Sequence, residues 1–420
     1  MVVGAGFGGL AAAHALARMP VEVMVVDAQN HHTFQPLLYQ VATAALNAAD
    51  IAQSVRGMFH DRDNVDFRLG RVCGLDADRR QVELEGQPPL SYDYLVLAAG
   101  ATTGYFGIPG VEEHALPLKS LSDALTLRNH LLLQFERAAA DPSLVDEGAL
   151  TVVIVGGGPT GVELAGAIAE LRDHVLAKDF PDLDVSRSRI VLVEATDRLL
   201  GTFHPRSAMG ALHTLRSRGV EVLLDTAVES ADPGRVCLAG TEEIATRTMV
   251  WAAGVRPSSL ADVLGLERGP GGRIVVGADL RVPAHPEVFV IGDLAASYDR
   301  SGKPYPQLAP VAIQGGRHAA RQIGRLLDGR GTERFRYRDR GTMATIGRNA
   351  AVAELPLGLR FRGRVAWLMW LALHLVMLIG FRNRASVLLN WSWNYLTYDR
   401  GARLIVNARP LDRGPRPGPG

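Results

Sequence analysis

Cysteine is scarce in this sequence, which has only Cys73 and Cys237 among its 420 residues. The two lie far apart, without the spacing of a metal site or a CxxC redox pair. The sequence therefore argues against a structural disulfide, a cysteine-based metal centre and a dithiol relay. We expect both cysteines to be small core residues.

Lysine is missing from residues 351–420, where ten arginines stand against three acids and give a net charge of +7. Because the whole chain carries +1, residues 1–350 must carry −6. Four of the five tryptophans also lie in this last region. Positive charge beside apolar, Trp-rich sequence suits an anionic membrane surface better than nucleic acid, since nucleic-acid binders rarely need a continuous apolar run.

Charge is absent from residues 365–381, a run of seventeen with arginines on both sides. A membrane-spanning helix needs about 20 apolar residues, and arginines at both ends give no positive-inside asymmetry. The run predicts a helix that anchors the protein on one membrane face. A core or dimer helix and a short span remain alternatives.

A second amphipathic helix is predicted over residues 387–398. Four apolar or aromatic residues recur there at helical spacing, while two asparagines fall on another face. The first set is Leu388, Trp391, Tyr395 and Tyr398, and the asparagines are Asn390 and Asn394. We expect the aromatic face to lie in a membrane surface.

A secretory signal peptide is not recognisable, because the sequence opens directly on a strand and a glycine turn. We therefore expect the cytoplasm, or the cytoplasmic face of the cell membrane, as the compartment.

The first glycine turn is Gly4-x-Gly6-x-x-Gly9, between a strand and an Ala-rich helix, and Asp27 ends the next strand. Such glycines permit a tight turn and a close backbone approach to a pyrophosphate at the helix N-terminus, and the acid accepts from a ribose hydroxyl. In this context the motif predicts dinucleotide binding.

The second turn, Gly156-x-Gly158-x-x-Gly161, repeats the first 152 residues later, and Glu194 ends its second strand. A carboxylate there accepts from a free ribose 2′-OH and repels a 2′-phosphate, and no arginine follows within three residues. This favours NADH over NADPH.

Asp293 distinguishes the two sites. A Gly-Asp pair at the end of a late strand, "VIGDLA", is what a flavoprotein uses to hold the ribityl chain, whereas an aspartate that only caps a helix is the alternative. We predict an α/β fold with two Rossmann-like domains, the FAD domain being interrupted by the NADH domain. The predicted limits are 1–115 and 278–350 for FAD, 116–277 for NADH, 351–406 for membrane association and 407–420 for a disordered tail.

The chain resembles the two-dinucleotide-binding-domain flavoproteins and, among them, the type II NADH dehydrogenases, which do not pump protons. The resemblance covers residues 1–405. Its motifs are "GAGFGGL" (4–10), "HHTFQPLLYQVAT" (31–43), "GGGPTGVELAG" (156–166), "AAGVRP" (252–257), "VAIQGG" (311–316) and, most specifically, "GFRNRASVLLNWSWNYLTYDRGARLI" (380–405).

The resemblance implies hydride transfer from NADH to FAD and then two-electron reduction of a membrane quinone, either menaquinone or ubiquinone. A peripheral membrane location and a homodimer are implied as well. The FAD residues implied are Gly4, Gly6, Phe7, Gly8, Gly9, Asp27, Val72, Gly100 and Asp293. The NADH residues implied are Gly156, Gly158, Pro159, Thr160, Gly161, Glu194 and Gly254.

Two residues are candidates for the chemistry. Thr160-x-x-Glu163 has the pattern of a capping box, while the resemblance places the glutamate near flavin and nicotinamide in proton or quinone chemistry. Gln314 matches the second glutamine of the family's AQxAxQ segment at the quinone channel, with a helix-surface amide as the alternative. Pro310 replaces the first glutamine.

Two rival functions remain open. A ferredoxin or rubredoxin reductase shares both glycine turns but has no use for residues 360–405. A flavin redox sensor, in which NADH binding changes conformation, would show slow turnover. The absence of cysteine from "FQPLLYQVAT" argues against disulfide reductases, and the placement of Cys73 and Cys237 argues against sulfide:quinone reductases.

Overall fold

The computed structural model describes residues 1–240, 243–397 and 400–406. The tail predicted at 407–420, and Tyr398, lie outside these residues. The strands of the described chain are β1 (Val2–Val3), β2 (Val23–Asp27), β3 (His31–Thr33), β4 (Ala52–Ser54), β5 (Val65–Leu69), β6 (Val72–Asp76), β7 (Gln81–Leu84), β8 (Gln87–Ser91), β9 (Leu95–Leu97), β10 (Ala101–Thr103), β11 (Leu116–Pro117), β12 (Thr151–Val155), β13 (Arg189–Val193), β14 (Val220–Leu223), β15 (Val228–Asp232), β16 (Arg235–Leu238), β17 (Ile244–Ala245), β18 (Thr248–Trp251), β19 (Val255–Pro257), β20 (Ile274–Val275), β21 (Arg281–Val282), β22 (His285–Val290), β23 (Ala295–Ala296), β24 (Thr342–Gly347), β25 (Ala350–Glu354) and β26 (Arg360–Arg362).

Helices separate many of these strands. They are α1 (Phe7–Leu16), α2 (Leu38–Ala42), α3 (Ala48–Ile51), α4 (Val55–Met58), α5 (Val111–His114), α6 (Leu121–Ala140), α7 (Pro159–Leu171), α8 (Ala177–Asp179), α9 (Pro205–Ser217), α10 (Leu260–Val263), α11 (Ala309–Leu327), α12 (Gly363–Met377) and α13 (Phe381–Thr397). A π-helical turn, Arg172–Leu176, joins α7 to α8.

Two compact units make up the chain, and neither is continuous in sequence. Unit 1 contains residues 1–33, 52–104 and 254–341, and unit 2 contains the remaining residues. The predicted limits of the cofactor domains stay a prediction.

Unit 1 is built on a six-stranded sheet of order β21-β22-β9-β1-β2-β5. All neighbouring strands are parallel except the edge strand β21. Its core is almost entirely aliphatic, as expected for a parallel sheet covered on both faces. The first glycine turn follows β1 at the carboxyl end of this sheet.

Cys73 corrects one expectation within this unit. It is exposed on the small antiparallel sheet β6-β7-β8, because strand residues alternate between faces and its neighbour Gly74 takes the buried face. Cys237 on β16 of unit 2 is half-buried. The prediction of two core cysteines was therefore wrong, because Cys73 is exposed and Cys237 is only partly buried.

Unit 2 is built on a five-stranded, fully parallel sheet of order β11-β18-β12-β13-β14. Every residue of β12 and β18 is buried. Two mainly parallel sheets, each containing a strand that leads through a glycine turn into a helix, confirm the predicted α/β fold with two Rossmann-like domains.

The end of the chain adds a three-stranded antiparallel sheet, β24-β25-β26, and the two helices α12 and α13. The uncharged run predicted as one helix is interrupted: α12 ends at Met377, and Gly380 adopts a positive φ of 86° before α13 begins. In the described chain, no helix combines the length and the hydropathy needed to cross a membrane.

Candidate functional site

The first glycine turn has the geometry of a phosphate cradle. Gly4 has a φ of 101°, and a side chain on Gly9 would overlap the carbonyl oxygen of Gly4. These two positions therefore accept only glycine. A Cβ on Gly6, in contrast, meets nothing within 4 Å. The backbone at Gly6 thus borders open space at the N-terminus of α1, where a pyrophosphate fits.

Asp27 stands at the end of β2 beside this turn. Its Oδ2 accepts from the backbone N–H of Ala5 at 2.6 Å, and its Oδ1 accepts from that of Gln29 at 2.8 Å. Burial raises the pKa of this carboxyl, while the bond from Ala5 lowers it. Since a carboxylate has about four acceptor positions, Asp27 can hold the turn and still accept from a ribose hydroxyl.

The second glycine turn repeats this arrangement in unit 2. Gly156 has a φ of 111°, a side chain on Gly161 would overlap the Gly156 carbonyl oxygen, and a Cβ on Gly158 meets nothing within 4 Å. Glu194 Oε2 accepts from the backbone N–H of Gly157 at 2.6 Å. The predicted duplication therefore extends to the bond between the acid and the turn.

Four more residues of unit 1 were predicted to bind FAD, namely Phe7, Gly8, Val72 and Gly100. Gly8 packs against α11, because a Cβ there would come within 3.1 Å of the carbonyl oxygen of Ala312. Gly100 has a φ of 67°, and a Cβ on it would meet nothing within 4 Å. Phe7 begins α1, and Val72 is the half-buried first residue of β6.

Asp293 lies in a one-turn 3-10 helix, Gly292–Leu294, just after β22. β22 belongs to the same sheet as β1, and both strands run parallel, so their carboxyl ends reach the same edge. The backbone carbonyl of Asp293 accepts from Gln307 Nε2 at 3.2 Å. Asp293 thus shares an edge of the sheet with the first glycine turn, as a ribityl-binding residue requires.

Gly254 is part of unit 1, whereas the other residues predicted to bind NADH are part of unit 2. Its φ is 68°. Pro159 and Thr160 are exposed at the first two positions of α7. Pro159 at this place leaves no backbone N–H unsatisfied.

The capping box predicted at Thr160 and Glu163 does not form. Gly158 is the N-cap of α7, with no hydrogen bond from a capping side chain. Glu163 is buried instead, and its Oε1 accepts from the backbone N–H of Thr345 on β24 at 3.3 Å. The sequence pattern was misleading because a partner 182 residues away binds this carboxyl.

Burial raises the pKa of Glu163 to about 8, while the bond from Thr345 and the nearby Trp370 indole act in the opposite direction. Among the described residues, no atom meets hydrogen-bond geometry with the Trp370 Nε1–H. At neutral pH the carboxyl is therefore mostly protonated, as a proton donor must be.

Gln314 lies on α11 in unit 1 and uses both ends of its amide. Its Nε2 donates to the carbonyl of Arg338 at 3.0 Å, and its Oε1 accepts from the N–H of the same residue at 2.9 Å. A quinone carbonyl would have to displace one of these bonds. The predicted role of Gln314 in the quinone channel stays a prediction.

A cavity of about 740 Å³ opens within unit 2. Its walls are mostly apolar and come from α2, α7, β24, α12 and α13. Aromatic and aliphatic side chains include Tyr39, Trp367, Trp370, Leu371, Leu375, Leu388 and Trp391. The polar residues that line it include Gln40, Thr345, Arg348 and Arg400. Its size and composition suit an apolar ring system with a long tail.

The helix α13 lies with its polar face on the protein. Asn390 Nδ2 donates to Asp50 at 3.0 Å, Asn394 Nδ2 donates to the carbonyl of Ala45 at 3.0 Å, and Trp391 Nε1 donates to Gln40 at 2.8 Å. The expectation that Trp391 lies in a membrane surface was wrong.

The exposed face of α12 and α13 is apolar. It includes Val376, Phe381, Leu388, Leu389, Trp393 and Leu396. Large apolar side chains grouped on an exposed face mark an interaction surface. The sequence predicted the amphipathic character of α13 but not the residues of 39–50 that bind its polar face.

Comparison with known proteins identifies the family. A family model described as pyridine nucleotide-disulphide oxidoreductase matches residues 1–316, and one described as NDH2 C-terminal domain matches residues 340–398. A type II NADH:quinone oxidoreductase of Mycobacterium tuberculosis is 38% identical over 98% of this chain and 91% of its own length. The internal alternative NAD(P)H-ubiquinone oxidoreductase A1 of Arabidopsis thaliana is 31% identical over 93% and 82%.

Solved structures share the fold. The Plasmodium falciparum NDH2 in complex with NADH aligns with a TM-score of 0.88 at 18% identity, covering 96% of this chain and 99% of that one. The sulfide:quinone oxidoreductase of Aquifex aeolicus aligns with a TM-score of 0.73 at 17% identity, covering 92% and 91%. Because sequence relatives and the carboxyl-terminal family model agree with the motifs, this chain belongs to the type II NADH:quinone oxidoreductase family.

Proposed function

We propose that this chain oxidises NADH, with FAD as its cofactor, and reduces a membrane quinone without pumping protons. The observation that carries the proposal is the repeated glycine turn with its bonded acid, which provides two dinucleotide sites. The apolar cavity of unit 2 provides a third site, for a molecule that is not a dinucleotide.

FAD fits the first turn. Gly6 leaves space for the pyrophosphate, Asp27 accepts from the adenosine ribose, and Asp293 at the same edge of the sheet holds the ribityl chain. We include Phe7, Val72 and Gly100 in this site. When bound, FAD supplies the two-electron chemistry, taking a hydride from NADH and passing electrons to quinone.

NADH fits the second turn by the same argument. Gly158 leaves space for the pyrophosphate. Glu194, already bonded to Gly157, accepts from the free 2′-OH and repels the 2′-phosphate of NADPH. We therefore propose 116–277 as the NADH domain and the flanking segments 1–115 and 278–350 as the FAD domain.

The cavity of unit 2 takes the quinone. Its apolar walls exclude water from the ring and tail, and Glu163, beside Thr345 and Trp370, holds the proton that the reduced ring needs. Gln314 is proposed as a second residue that binds the quinone, and its amide would first have to release the backbone of Arg338.

The exposed apolar face of α12 and α13 is proposed as the membrane-binding surface, on the cytoplasmic side of the cell membrane. Arginines at the ends of these helices, such as Arg364 and Arg382, suit anionic headgroups. A homodimer is part of the proposal through the family resemblance alone.

The function is tested by anaerobic NADH oxidation with FAD-loaded protein in liposomes, with and without menaquinone or ubiquinone in the bilayer. We expect NADH to bleach the flavin absorbance once, and continuous turnover only when quinone is present. Flavin that stays reduced with menaquinone and also with ubiquinone would contradict the proposal and point to a soluble acceptor or to a redox sensor.

Membrane binding should weaken in each of two single variants, Phe381→Glu and Leu389→Glu. The two side chains are 86% and 70% exposed and lie outside the cavity. Each loses the burial of a large apolar side chain, so we expect at least about tenfold weaker partitioning to liposomes. The matched control is Met209→Glu on α9, where the methionine is 65% exposed. Equal loss in the control would remove α13 from the membrane-binding surface.

A further inference from the structure

The carboxylate of Glu194 is held by hydrogen bonds from two sides. Its Oε2 accepts from the backbone N–H of Gly157 at 2.6 Å. Its Oε1 accepts from the backbone N–H of Thr196 at 2.9 Å and from the Thr196 hydroxyl at 2.8 Å. Because hydrogen bonds to an ionised group are stronger than those between neutral groups, these three bonds resist rotation of the carboxylate.

These bonds leave room for one more donor. A carboxylate has about four acceptor positions, two on each oxygen. Thr196 occupies both positions of Oε1, and Gly157 occupies one position of Oε2. The remaining position is on Oε2, the oxygen that is bonded to the glycine turn. A single ribose hydroxyl can therefore donate to Glu194, beside the place where the pyrophosphate fits.

The hydroxyl bond distinguishes the second glycine turn from the first. In the first turn, Asp27 likewise accepts from a turn residue, Ala5, and from the backbone N–H two residues further on. That second donor is Gln29, which has no hydroxyl. The backbone bonds are thus common to both turns. Among the described residues, only the turn with Glu194 adds a side-chain hydroxyl to its acid.

The segment that carries Thr196 is itself fixed by backbone bonds on both sides. The carbonyl of Thr196 accepts from the N–H of Asp225 at 3.0 Å, and the N–H of Leu200 donates to the carbonyl of Gly157 at 2.8 Å. The Thr196 hydroxyl also lies 3.2 Å from the carbonyl of Arg198. A hydroxyl has one proton to donate, and the charged carboxylate is the closer and stronger acceptor.

We propose that the Thr196 hydroxyl is a positioning group through which the site selects NADH over NADPH. The inference rests on the proposed function, in which Glu194 accepts from the ribose 2′-OH. With both oxygens held, the carboxylate cannot turn away from a 2′-phosphate, whose negative charge it repels. The first arginine after Glu194 is Arg198, and its charge is offset by Asp197 at 3.2 Å.

Thr196→Val tests the proposal in the FAD-loaded, full-length protein, since valine keeps the shape and the backbone N–H but has no hydroxyl. Isothermal titration calorimetry gives the dissociation constants of NAD⁺ and NADP⁺ without electron transfer. We expect the preference for NAD⁺ to fall about tenfold, the worth of about one hydrogen bond to a charged group. Saturating NADH should still reduce the flavin at the wild-type rate. An unchanged preference would overturn the proposal.

Thr226→Val is the matched control. The backbone N–H of Thr226 donates to the carbonyl of Glu194 at 3.0 Å, but its hydroxyl donates to the carbonyl of Leu224 at 2.8 Å, away from the carboxylate. This variant should keep the wild-type preference. Thr196→Ser, which retains the hydroxyl, should keep it as well. An equal loss in Thr226→Val, or in Thr196→Ser, would contradict a role for the Thr196 hydroxyl.

A double variant decides whether Thr196 acts through the carboxylate. In Glu194→Ala there is no carboxylate to hold, so adding Thr196→Val should change the preference by less than about twofold. A further tenfold change would mean that Thr196 contacts the nucleotide itself, and it would overturn the positioning role. A wild type that binds neither nucleotide, and whose flavin NADH does not reduce, would instead overturn the proposed function.

Discussion

Replacing Glu163 with glutamine should slow quinone turnover by about 10²- to 10⁴-fold, the usual contribution of a positioned acid. Glutamine keeps the shape of the side chain and its capacity to accept from Thr345 N–H, but it has no proton to give. Reduction of bound flavin by NADH should keep its rate. Stopped-flow absorbance separates the two half-reactions.

The pH dependence of wild-type turnover should report the same carboxyl. With a pKa of about 8, Glu163 is protonated below that pH and loses its proton above it, so turnover should fall as pH rises through about 8. The Glu163→Gln protein should show no such fall. Glu229→Gln, which changes an exposed acid on β15, should behave as wild type. A fall of equal size in Glu163→Gln would assign the titration to another group.

Stability gives a second readout of this carboxyl. Because its pKa is raised on folding, the unfolded chain binds fewer protons than the folded one between roughly pH 5 and 8. The free energy of unfolding must therefore decrease as pH rises in that window, by about 1.4 kcal/mol per pH unit. Glu163→Gln lacks this contribution, so its stability relative to wild type should increase at the same slope.

Replacing Arg400 with leucine should destabilise the protein by about 1–3 kcal/mol, because it leaves the buried carbonyl of Thr43 without its hydrogen-bond donor. Arg400 is 8% exposed. Its Nη1 donates to the carbonyl of Thr43 at 2.7 Å, and its Nη2 lies 3.6 Å from Glu170 Oε2. Glu170 also pairs with Arg218 at 2.7 Å and accepts from the backbone N–H of Arg348.

Urea unfolding of the FAD-loaded protein in detergent measures this loss. The matched control is Arg403→Leu, three residues later, where the arginine pairs with Asp179 at 3.2 Å and is 30% exposed. A partly exposed pair of this kind contributes about 0–1 kcal/mol. If both variants lose the same stability, the burial of Arg400 contributes nothing of its own.

The parts of the site that depend on local geometry could be predicted from the sequence. A strand, a glycine turn and a helix lie within a short stretch of chain. Only glycine fits at positions 9 and 161, because a side chain there would overlap the backbone of the turn. The acids Asp27 and Glu194 could also be predicted, because Asp27 ends β2 and Glu194 directly follows β13, the next strand after each glycine turn. The family resemblance depended on these same motifs and was confirmed by the relatives.

The parts that depend on distant partners could not be predicted. Glu163 has the spacing of a helix-capping residue, and no feature near it in the sequence indicates Thr345 as its hydrogen-bond donor. The sequence placed the asparagines of α13 on a face away from the aromatic residues. It did not indicate that Asp50, 340 residues earlier, binds Asn390. A signal did exist, since Gln40 and Asp50 are polar residues in a mostly apolar segment, but periodicity does not pair polar residues across the chain.

The discontinuity of unit 1 has a consequence for how the protein is made. Its central sheet needs β22, and α1 packs on α11 so closely that a side chain on Gly316 would overlap the backbone of Gly8. At about 5–20 residues per second, roughly 10–50 s of translation separate residue 33 from residue 254. The sheet of unit 2, in contrast, draws all five strands from residues 116–251. On the ribosome, the five-stranded sheet of unit 2 can therefore form before α11, the helix on which α1 packs, has been synthesised.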